Sequence, residues 1–240
     1  MRGPTPIAGH VTPLIRVLAF VARVLARSVT RVRIEGDVAA IPRTGSVILA
    51  ANHTSNADSV VIGGFLTQTL GRRVNWLGKK ELFDVPIFGW LSWHGGIHPV
   101  DRGAADVEAF KLAARILTEG HLLAVFPEGT RSPDGELQAA KDGIALLDLR
   151  TGAPIVPIGI EGADRVWPKG RRLPRLGGQI TVRVGAPIVL DAPGASGDRR
   201  AAKSLATDRI MRAIAELLPE RQRGVYAASP APSVLEAVIG

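Results

Sequence analysis

The sequence contains no cysteine and no long uninterrupted apolar run. Without cysteine, the protein can form no disulfide, no zinc site with thiolate ligands and no cysteine nucleophile. A conventional membrane-spanning helix needs about 18 or more consecutive apolar residues, and no such run occurs. Arginines interrupt the amino-terminal apolar segment and no clear small-residue cleavage site follows it, unlike a signal peptide. We therefore expect neither a spanning helix nor a secreted, disulfide-bonded domain, which fits a cytoplasmic location.

An excess of positive charge is the main feature of the composition. The 240 residues carry a formal charge of +8 with a pI near 10.7, and hydrophobic residues make up 46%. This balance indicates an anionic partner, which could be nucleic acid, anionic lipid or a phosphorylated substrate. Nucleic acid is the least favoured, because the sequence has no zinc-finger spacing and no aromatic-rich basic strand. The length suits one sizeable domain with a small appendage.

Residues 11–28 are expected to form an amphipathic helix. Arg16, Arg23 and Arg27 fall within a narrow arc at about 100° per residue, and apolar side chains cover most of the remaining surface. Such a helix can lie in the headgroup region of an anionic membrane. The alternative is a helix packed on the domain with its arginines in solvent. We expect 1–28 to form this membrane-associating helix, 29–220 the main domain and 221–240 a loosely ordered tail.

Residues 29–220 alternate between strand-like and helix-like segments. Apolar strand-like runs such as Val47–Ala51 and Leu122–Phe126 are each followed by a helical pattern, which predicts an α/β domain. We expect a mixed, largely parallel central sheet flanked by helices. Pro157 interrupts the apolar run at 153–160. Proline is suited to an edge strand or to the end of a strand, so we expect one of these two positions for Pro157. Gln179–Val184 alternates in the manner of an exposed strand.

A polar segment follows the apolar strand Val47–Ala51 directly. His53 and Asp58 lie five positions apart in this segment, and the next apolar residues predict a helix that begins near Asp58. Loops at the carboxyl ends of strands are where open α/β folds build their sites. A carboxylate bent back onto the imidazole would fix its tautomer and stabilise the imidazolium, giving a His–Asp general base. The alternative is a helix-capping aspartate with a surface histidine.

A second candidate loop, Phe126–Ser132, has the sequence F-P-E-G-T-R-S and also follows an apolar strand. Gly129 leaves backbone N–H groups accessible, Thr130 supplies a hydroxyl and Arg131 a fixed positive charge, and together these can cradle a phosphate. Glu128 would repel a phosphate, so we expect it to hold an arginine or to accept a hydrogen bond from a substrate hydroxyl. The alternative is a Pro/Gly turn between two elements.

These segments resemble the motifs of the glycerolipid acyltransferase family, whose bacterial members include 1-acylglycerol-3-phosphate acyltransferases. Asn52–Asp58 is similar to the first motif, N-H-x-x-x-x-D, and Phe126–Ser132 to the third. Asp101-Arg102 resembles the second motif, although His98-Pro99-Val100 stands where the family usually has an apolar pair. The segment 153–160 resembles the fourth motif, which shapes the acyl-donor side of the site in the family, and could equally be a core strand. The segment 79–90 resembles the K-E-L…P…G stretch between the first two motifs.

The resemblance implies an enzyme that esterifies the sn-2 hydroxyl of lysophosphatidic acid to give phosphatidic acid. The donor would be a fatty acyl thioester of coenzyme A or of acyl carrier protein. The site residues that it implies are the general base His53, its partner Asp58 and, for the acceptor and its phosphate, Lys80 (with Lys79 as the alternative), Arg102, Glu128, Gly129, Thr130 and Arg131. Neither an acyl-enzyme, a metal nor a cofactor is expected. We expect an anionic membrane surface as a partner, at the cytoplasmic face of the cell membrane, with peripheral or monotopic attachment.

Other functions remain open. The acceptor could be another lysolipid, such as a lysophospholipid or lyso-ornithine lipid. A hydrolase would use Ser55 or Ser59 as nucleophile with His53, although the sequence has no G-x-S-x-G elbow. A non-catalytic membrane-binding module would explain the charge and the amphipathic helix, but not the spacing of His53 and Asp58.

Overall fold

The protein is organised around one β-sheet. The computed structural model describes residues 5–100, 106–141, 143–190 and 199–227. The strands of the sheet are β1 (Arg31–Gly36), β2 (Val47–Ala51), β3 (Val74–Lys79), β4 (Ile97–Val100), β5 (Leu122–Val125), β6 (Ile155–Glu161) and β7 (Gln179–Val184). They lie in the order β1-β7-β6-β2-β5-β3-β4.

The strand directions place several loops at one end of this sheet. Every neighbouring pair is parallel except β6 with β7. Strands β2, β3, β4, β5 and β6 therefore run the same way, and their carboxyl ends meet at what we call the carboxyl end of the sheet. Because β1 and β7 run in the opposite direction, their amino ends lie at that same end.

Helices cover both faces of the sheet. They are α1 (Pro13–Val29), α2 (Asp58–Val61), α3 (Thr67–Leu70), α4 (Pro86–His94), α5 (Asp106–Thr118), α6 (Gly143–Thr151), α7 (Ala163–Val166) and α8 (Arg199–Glu216). A π-helical turn, Ile62–Leu66, joins α2 to α3. Single turns of 3₁₀-helix are formed by Val38–Ala40, Lys80–Phe83, Glu220–Gln222 and Gly224–Tyr226.

Strand β2 separates two hydrophobic cores. Val47, Leu49 and Ala51 pack with α2 and α3 on one face, whereas Ile48 and Ala50 pack with α5, α6 and α8 on the other. A strand buried on both faces has no polar side, which explains its continuous apolar sequence. The predicted α/β domain with a mixed, largely parallel sheet flanked by helices is confirmed.

Helix α1 packs closely on the helix that follows β2. The hydroxyl of Thr12 caps α1 by accepting a hydrogen bond from the Ile15 N–H (3.3 Å), and Pro13 suits the first turn. Gly64 permits the close approach, because a Cβ atom there would lie 3.3 Å from the Ala22 Cβ and 3.4 Å from the Ala19 carbonyl oxygen. Small residues, Ala19 and Ala22, thus form the part of α1 that faces Gly64.

The arginines of α1 differ in their surroundings, because Arg16 and Arg27 are exposed whereas Arg23 is half-buried. Arg23 donates a hydrogen bond to Oε1 of Gln68 (3.0 Å), and the guanidinium groups of Arg23 and Arg27 both lie over the Phe65 ring, 5.3 Å from its centre. Arg23 is thus held against the domain by Phe65 and Gln68, while Arg27 contacts Phe65 from an exposed position. An apolar face of α1 is exposed as well, at Val17, Phe20, Val21, Val24 and Leu25.

No helix in the described ranges combines the length and the apolar character needed to span a membrane.

Strands β6 and β7 occupy interior positions, contrary to two expectations from the sequence. Pro157 lies within β6, which has neighbours on both sides, and it is tolerated because the β6–β7 ladder begins only at Ile158. The Pro157 carbonyl accepts from the Gly185 N–H (2.9 Å), where the chain is already leaving β7. Strand β7 lies between β1 and β6 and is mostly buried rather than exposed.

Residues 221–227 are packed on the domain, contrary to the loose tail that we expected from residue 221. Gln222 is buried and its Nε2 donates to the Gly135 carbonyl (3.2 Å), while the Tyr226 hydroxyl accepts from the Ala140 N–H (3.3 Å). Residues 221–227 therefore pack against the loop that follows β5, through contacts distant in sequence. Residues 228–240 lie outside the described residues.

Candidate active site

The His53 segment starts at the carboxyl end of β2, in the middle of the sheet. Asn52 anchors it: the side-chain Nδ2 donates to the Ile160 carbonyl (2.9 Å), and Oδ1 accepts from the Ile160 N–H (2.7 Å). Both bonds join the end of β2 to β6. Sequence reasoning had assigned no role to Asn52, although an amide that ends an apolar strand is a signal for such an anchor.

His53 and Asp58 are in direct contact, as the five-residue spacing suggested. The Nδ1 atom of His53 lies 2.9 Å from Oδ2 of Asp58. The same oxygen accepts from the backbone N–H groups of Thr54 and Ser55, both at 2.8 Å. A carboxylate oxygen only accepts, so Nδ1 is assigned as the donor in this contact, and in a neutral ring Nε2 is then the nitrogen with the free lone pair. Asp58 is fully buried, whereas the His53 side chain retains 19% exposure, so its ring can be reached from solvent.

Phe126 holds the imidazole from one side. Its ring stacks on that of His53, with ring centres 3.9 Å apart and planes 10° from parallel. The Trp76 ring lies on Phe126 in turn, with ring centres 5.7 Å apart. Phe126 directly follows β5, the strand next to β2. The stacking fixes the orientation of the His53 ring together with the Asp58 contact. The motif match at 126–132 was the only sequence signal for this residue.

Glu128 connects the two loops through their backbones. Its Oε1 accepts from the His53 N–H (2.6 Å) and its Oε2 from the Gln138 N–H (3.0 Å). A further bond runs from the Ser132 N–H to the His53 carbonyl (2.8 Å). Burial raises the pKa of the Glu128 carboxyl to about 7, and the N–H groups of Gln138 and His53 partly oppose the shift. Both contacts are to backbone amides, and none of the hydrogen bonds found among the described residues joins Glu128 to an arginine. The expected bond from a substrate hydroxyl stays a prediction.

The phosphate-cradle residues are only partly arranged as predicted. Gly129 has a left-handed φ of 73°, and its N–H donates to the Phe126 carbonyl (3.0 Å), so this amide serves the turn instead of being accessible to a phosphate. Thr130 is exposed. Arg131 is tethered, because its guanidinium donates to the Asn56 side chain while its carbonyl accepts from Nζ of Lys169. This places Arg131 against the same segment that carries His53.

Lys80 and Arg102 are the more distant candidates. Lys80 is exposed at the start of the 3₁₀ turn that follows β3, so it lies at the carboxyl end of the sheet, as His53 does. Arg102 lies outside the described residues. The preceding strand β4 also ends at the carboxyl end of the sheet.

The position of Ser55 disfavours the hydrolase alternative. Ser55 is fully buried, its hydroxyl donates to the Trp167 carbonyl (2.7 Å), and the same oxygen accepts from the Ala57 N–H (2.9 Å). A hydroxyl held in this way stabilises the turn between His53 and Asp58 and is not presented to a substrate. Ser59 lies one residue into α2.

Comparisons with known proteins agree with the resemblance noted in the sequence. A sequence model of the family described as Acyltransferase matches residues 31–161. The 1-acyl-sn-glycerol-3-phosphate acyltransferase of Pseudomonas aeruginosa is 30% identical over 81% of this chain and 72% of its own length. The chloroplastic enzyme BAT2 of Brassica napus, also named 1-acyl-sn-glycerol-3-phosphate acyltransferase, is 29% identical over 59% of this chain. The chain spans only 40% of that plant enzyme.

A solved structure is similar in fold. The crystal structure of the 1-acyl-sn-glycerophosphate (LPA) acyltransferase PlsC from Thermotoga maritima superposes with a TM-score of 0.67 and 26% sequence identity. The match covers 85% of this chain and 79% of that one. The likeness therefore extends over most of the sheet and its helices.

Proposed function

The chain belongs to the acyltransferase family, and on that basis we propose that it transfers a fatty acyl group to the sn-2 hydroxyl of lysophosphatidic acid, producing phosphatidic acid. The relatives named for this activity support the choice of acceptor. The donor is a fatty acyl thioester, carried by coenzyme A or by acyl carrier protein. The observation that carries the proposal is the His53–Asp58 contact at the carboxyl end of the sheet.

His53 is the general base of the proposed reaction. Nε2 takes the proton of the acceptor hydroxyl while that oxygen attacks the thioester carbonyl carbon. Asp58 holds Nδ1–H and stabilises the positive charge that develops on the ring. The tetrahedral intermediate then collapses, the carbon–sulfur bond breaks, and the imidazolium returns its proton to the leaving thiolate. The acyl group passes directly to the acceptor, with no acyl-enzyme.

Basic residues bind the acceptor's phosphate. We assign this role to Arg131 and Lys80, at the carboxyl end of the sheet, and to Arg102, with Thr130 as a hydroxyl donor. Positioning the two reactants can contribute about 7–11 kcal/mol to lowering the barrier. Gly129 and Glu128 shape the loop instead of touching phosphate, since their polar groups already bond to the protein backbone.

The first prediction concerns His53 and Asp58. His53→Ala and Asp58→Asn should each lower the rate of phosphatidic acid formation by about 10²–10⁴-fold, because a general base or its orienting carboxylate is lost. The assay supplies lysophosphatidic acid with acyl coenzyme A or acyl carrier protein, and mass spectrometry quantifies the product. His10→Ala, which removes an exposed histidine far from β2 in sequence, is the matched control and should retain activity.

Retained activity in a folded His53→Ala protein would remove His53 from the mechanism. Thioester hydrolysis by the wild type without any acceptor would instead indicate a hydrolase. A panel of lysolipids in the same assay tests the acceptor, because transfer to a lysophospholipid or lyso-ornithine lipid alone would exclude lysophosphatidic acid.

A further inference from the structure

A surface cavity of about 810 Å³ lies between the end of α1 and the loop before β7. Four arginines line it, Arg27, Arg31, Arg165 and Arg175, and its lining includes no aspartate or glutamate. None of the ion pairs found among the described residues involves these four side chains. The cavity therefore gathers four guanidinium groups that form no salt bridge with the described residues, although Asp134 and Asp164 line the adjoining cavity.

The cavity is a built feature that joins α1 to the domain. The Gly177 N–H donates to the Val29 carbonyl (2.7 Å), and the Arg31 N–H donates to the Gly178 carbonyl (3.2 Å). Gly177 and Gly178 both adopt left-handed φ angles, 85° and 80°, which lets the loop turn against the end of α1. The arginines of the helix end and of the loop are thereby held around one space.

The cavity also lies close to the proposed active site. Arg31 begins β1 and Gly162 follows β6, so the cavity stands at the carboxyl end of the sheet. Arg165 and Arg175 line a second, smaller cavity of about 250 Å³ as well, and Thr54, the neighbour of His53, is part of that wall. A ligand in the arginine-lined cavity would therefore be near the His53 loop.

The residues that line the cavity favour a phosphate attached to a lipid as its ligand. Guanidinium groups bind phosphate oxygens in a bidentate manner. Leu176 on the cavity wall is 83% exposed, and the apolar outer face of α1 runs up to Leu25 just before Arg27. Exposed apolar side chains beside arginines are typical of segments at a membrane interface. No aromatic ring stands among the described lining residues to stack on an adenine, which disfavours the nucleotide of coenzyme A.

We propose that this arginine-lined cavity binds the phosphate of an anionic phospholipid headgroup in the membrane surface. The site is distinct from the acceptor-phosphate site assigned above, and it holds the His53 loop at the membrane. The inference rests on the proposed function only in requiring that the protein acts at a lipid surface.

The test is vesicle binding by the whole chain. Arg31→Gln, Arg165→Gln and the double variant are compared with wild type in sedimentation with phosphatidylcholine vesicles that contain or lack phosphatidylglycerol. Each arginine near an anionic surface contributes about fivefold to partitioning, so the double variant should bind phosphatidylglycerol vesicles roughly 25-fold more weakly. The control is Arg33→Gln/Arg209→Gln, which removes two exposed arginines outside the cavity and should change binding by less than about twofold.

Equal losses in the cavity and control variants would overturn the proposal, because they would show attraction by net charge alone. Unchanged binding of the double variant would overturn it too. Circular dichroism reports folding, and the single variants decide the question if the double variant does not fold. Displacement of the wild type from vesicles by adenosine 3′,5′-bisphosphate would assign the cavity to coenzyme phosphates instead.

Acyl transfer in detergent micelles, measured on the same samples, separates this proposal from the proposed function. Cavity-dependent vesicle binding without transfer by the wild type would leave the headgroup site standing and remove the enzyme assignment. Acyl transfer by the wild type, together with vesicle binding that does not depend on the cavity arginines, would support the enzyme assignment and remove the headgroup site.

Discussion

The hydrogen bonds of Glu128 show how one side chain links two motifs that lie far apart in the sequence. Its carboxyl accepts from the backbone N–H groups of His53 and Gln138. The loop after β5 is therefore attached to the residue that we assign as the base, and not merely close to it. A glutamate is suited to this position because its two oxygens accept from two separate amides.

Glu128 should also give the protein a distinctive pH dependence of stability. Its pKa in the folded protein, about 7, lies above the ordinary value of 4.5, so the folded protein holds a proton that the unfolded chain releases between these pH values. The contribution of Glu128 to the free energy of unfolding therefore falls as pH rises from 4.5 to 7, by at most about 3 kcal/mol. Glu128→Gln should lack this fall.

Urea unfolding of wild type and Glu128→Gln from pH 4.5 to 8 measures the effect. Glu136→Gln, which replaces an exposed glutamate in the same loop, is the control and should follow the wild-type profile. Parallel profiles for wild type and Glu128→Gln would show that the buried carboxyl has an ordinary pKa. The amide of the Glu128→Gln variant has only one acceptor oxygen at every pH, so one of the two backbone contacts is lost, which shifts the whole profile but not its slope.

At the scale of elements, the packing of α1 on α2 and α3 joins the amino-terminal helix to the active site. Gly64 lies against the backbone and small side chains of α1, in the π-helical turn that directly follows α2, and α2 begins at Asp58. A larger side chain at Gly64 would separate the two elements, whereas neighbouring Gly63 has no atom within 4 Å of an added Cβ. The pair offers a matched comparison.

Gly64→Leu should lower the free energy of unfolding by about 1–3 kcal/mol, the usual cost of inserting side-chain atoms into a packed contact. Gly63→Leu should change it by less than about 1 kcal/mol. Urea unfolding measures both, and hydrogen exchange over residues 13–29 reports whether α1 has loosened. Similar stabilities for the two variants would mean that α1 is not packed against Gly64 in solution.

At the scale of the whole molecule, α1 offers an apolar surface that the described residues do not cover. Phe20 and Leu25 are 58% and 59% exposed, and Arg27 follows within one turn. An apolar helix face beside a basic cavity suits a protein that lies on an anionic membrane surface. We infer that α1 inserts this face among the lipids while Arg23 and Arg27 remain in contact with the domain.

Phe20→Ser/Leu25→Ser should weaken binding to phosphatidylglycerol vesicles by roughly tenfold or more, since two large apolar side chains no longer enter the lipid. Sedimentation provides the measurement. The control, Val107→Ser/Leu205→Ser, removes two equally exposed apolar side chains from α5 and α8, which pack on the opposite face of the sheet. An equal loss of binding in the control would show that no particular face of the protein meets the membrane.

The sequence by itself determined the features that depend on near neighbours in the chain. The apolar run of β2, the turn after it and the helix starting at Asp58 are local, so the contact of His53 with Asp58 could be anticipated from their spacing. The alternation of strands and helices likewise determined the α/β class, because a strand buried on both faces is apolar throughout.

Only the tertiary structure decided which distant segments meet. Glu128 bonds to His53 across 75 positions because β5 lies beside β2, and nothing in the local pattern specifies that neighbour. Pro157 is interior and Arg23 faces inward for the same reason, since each depends on the element packed beside it. The arginine-lined cavity draws on residues 27, 31, 165 and 175, which only the order of strands in the sheet brings together.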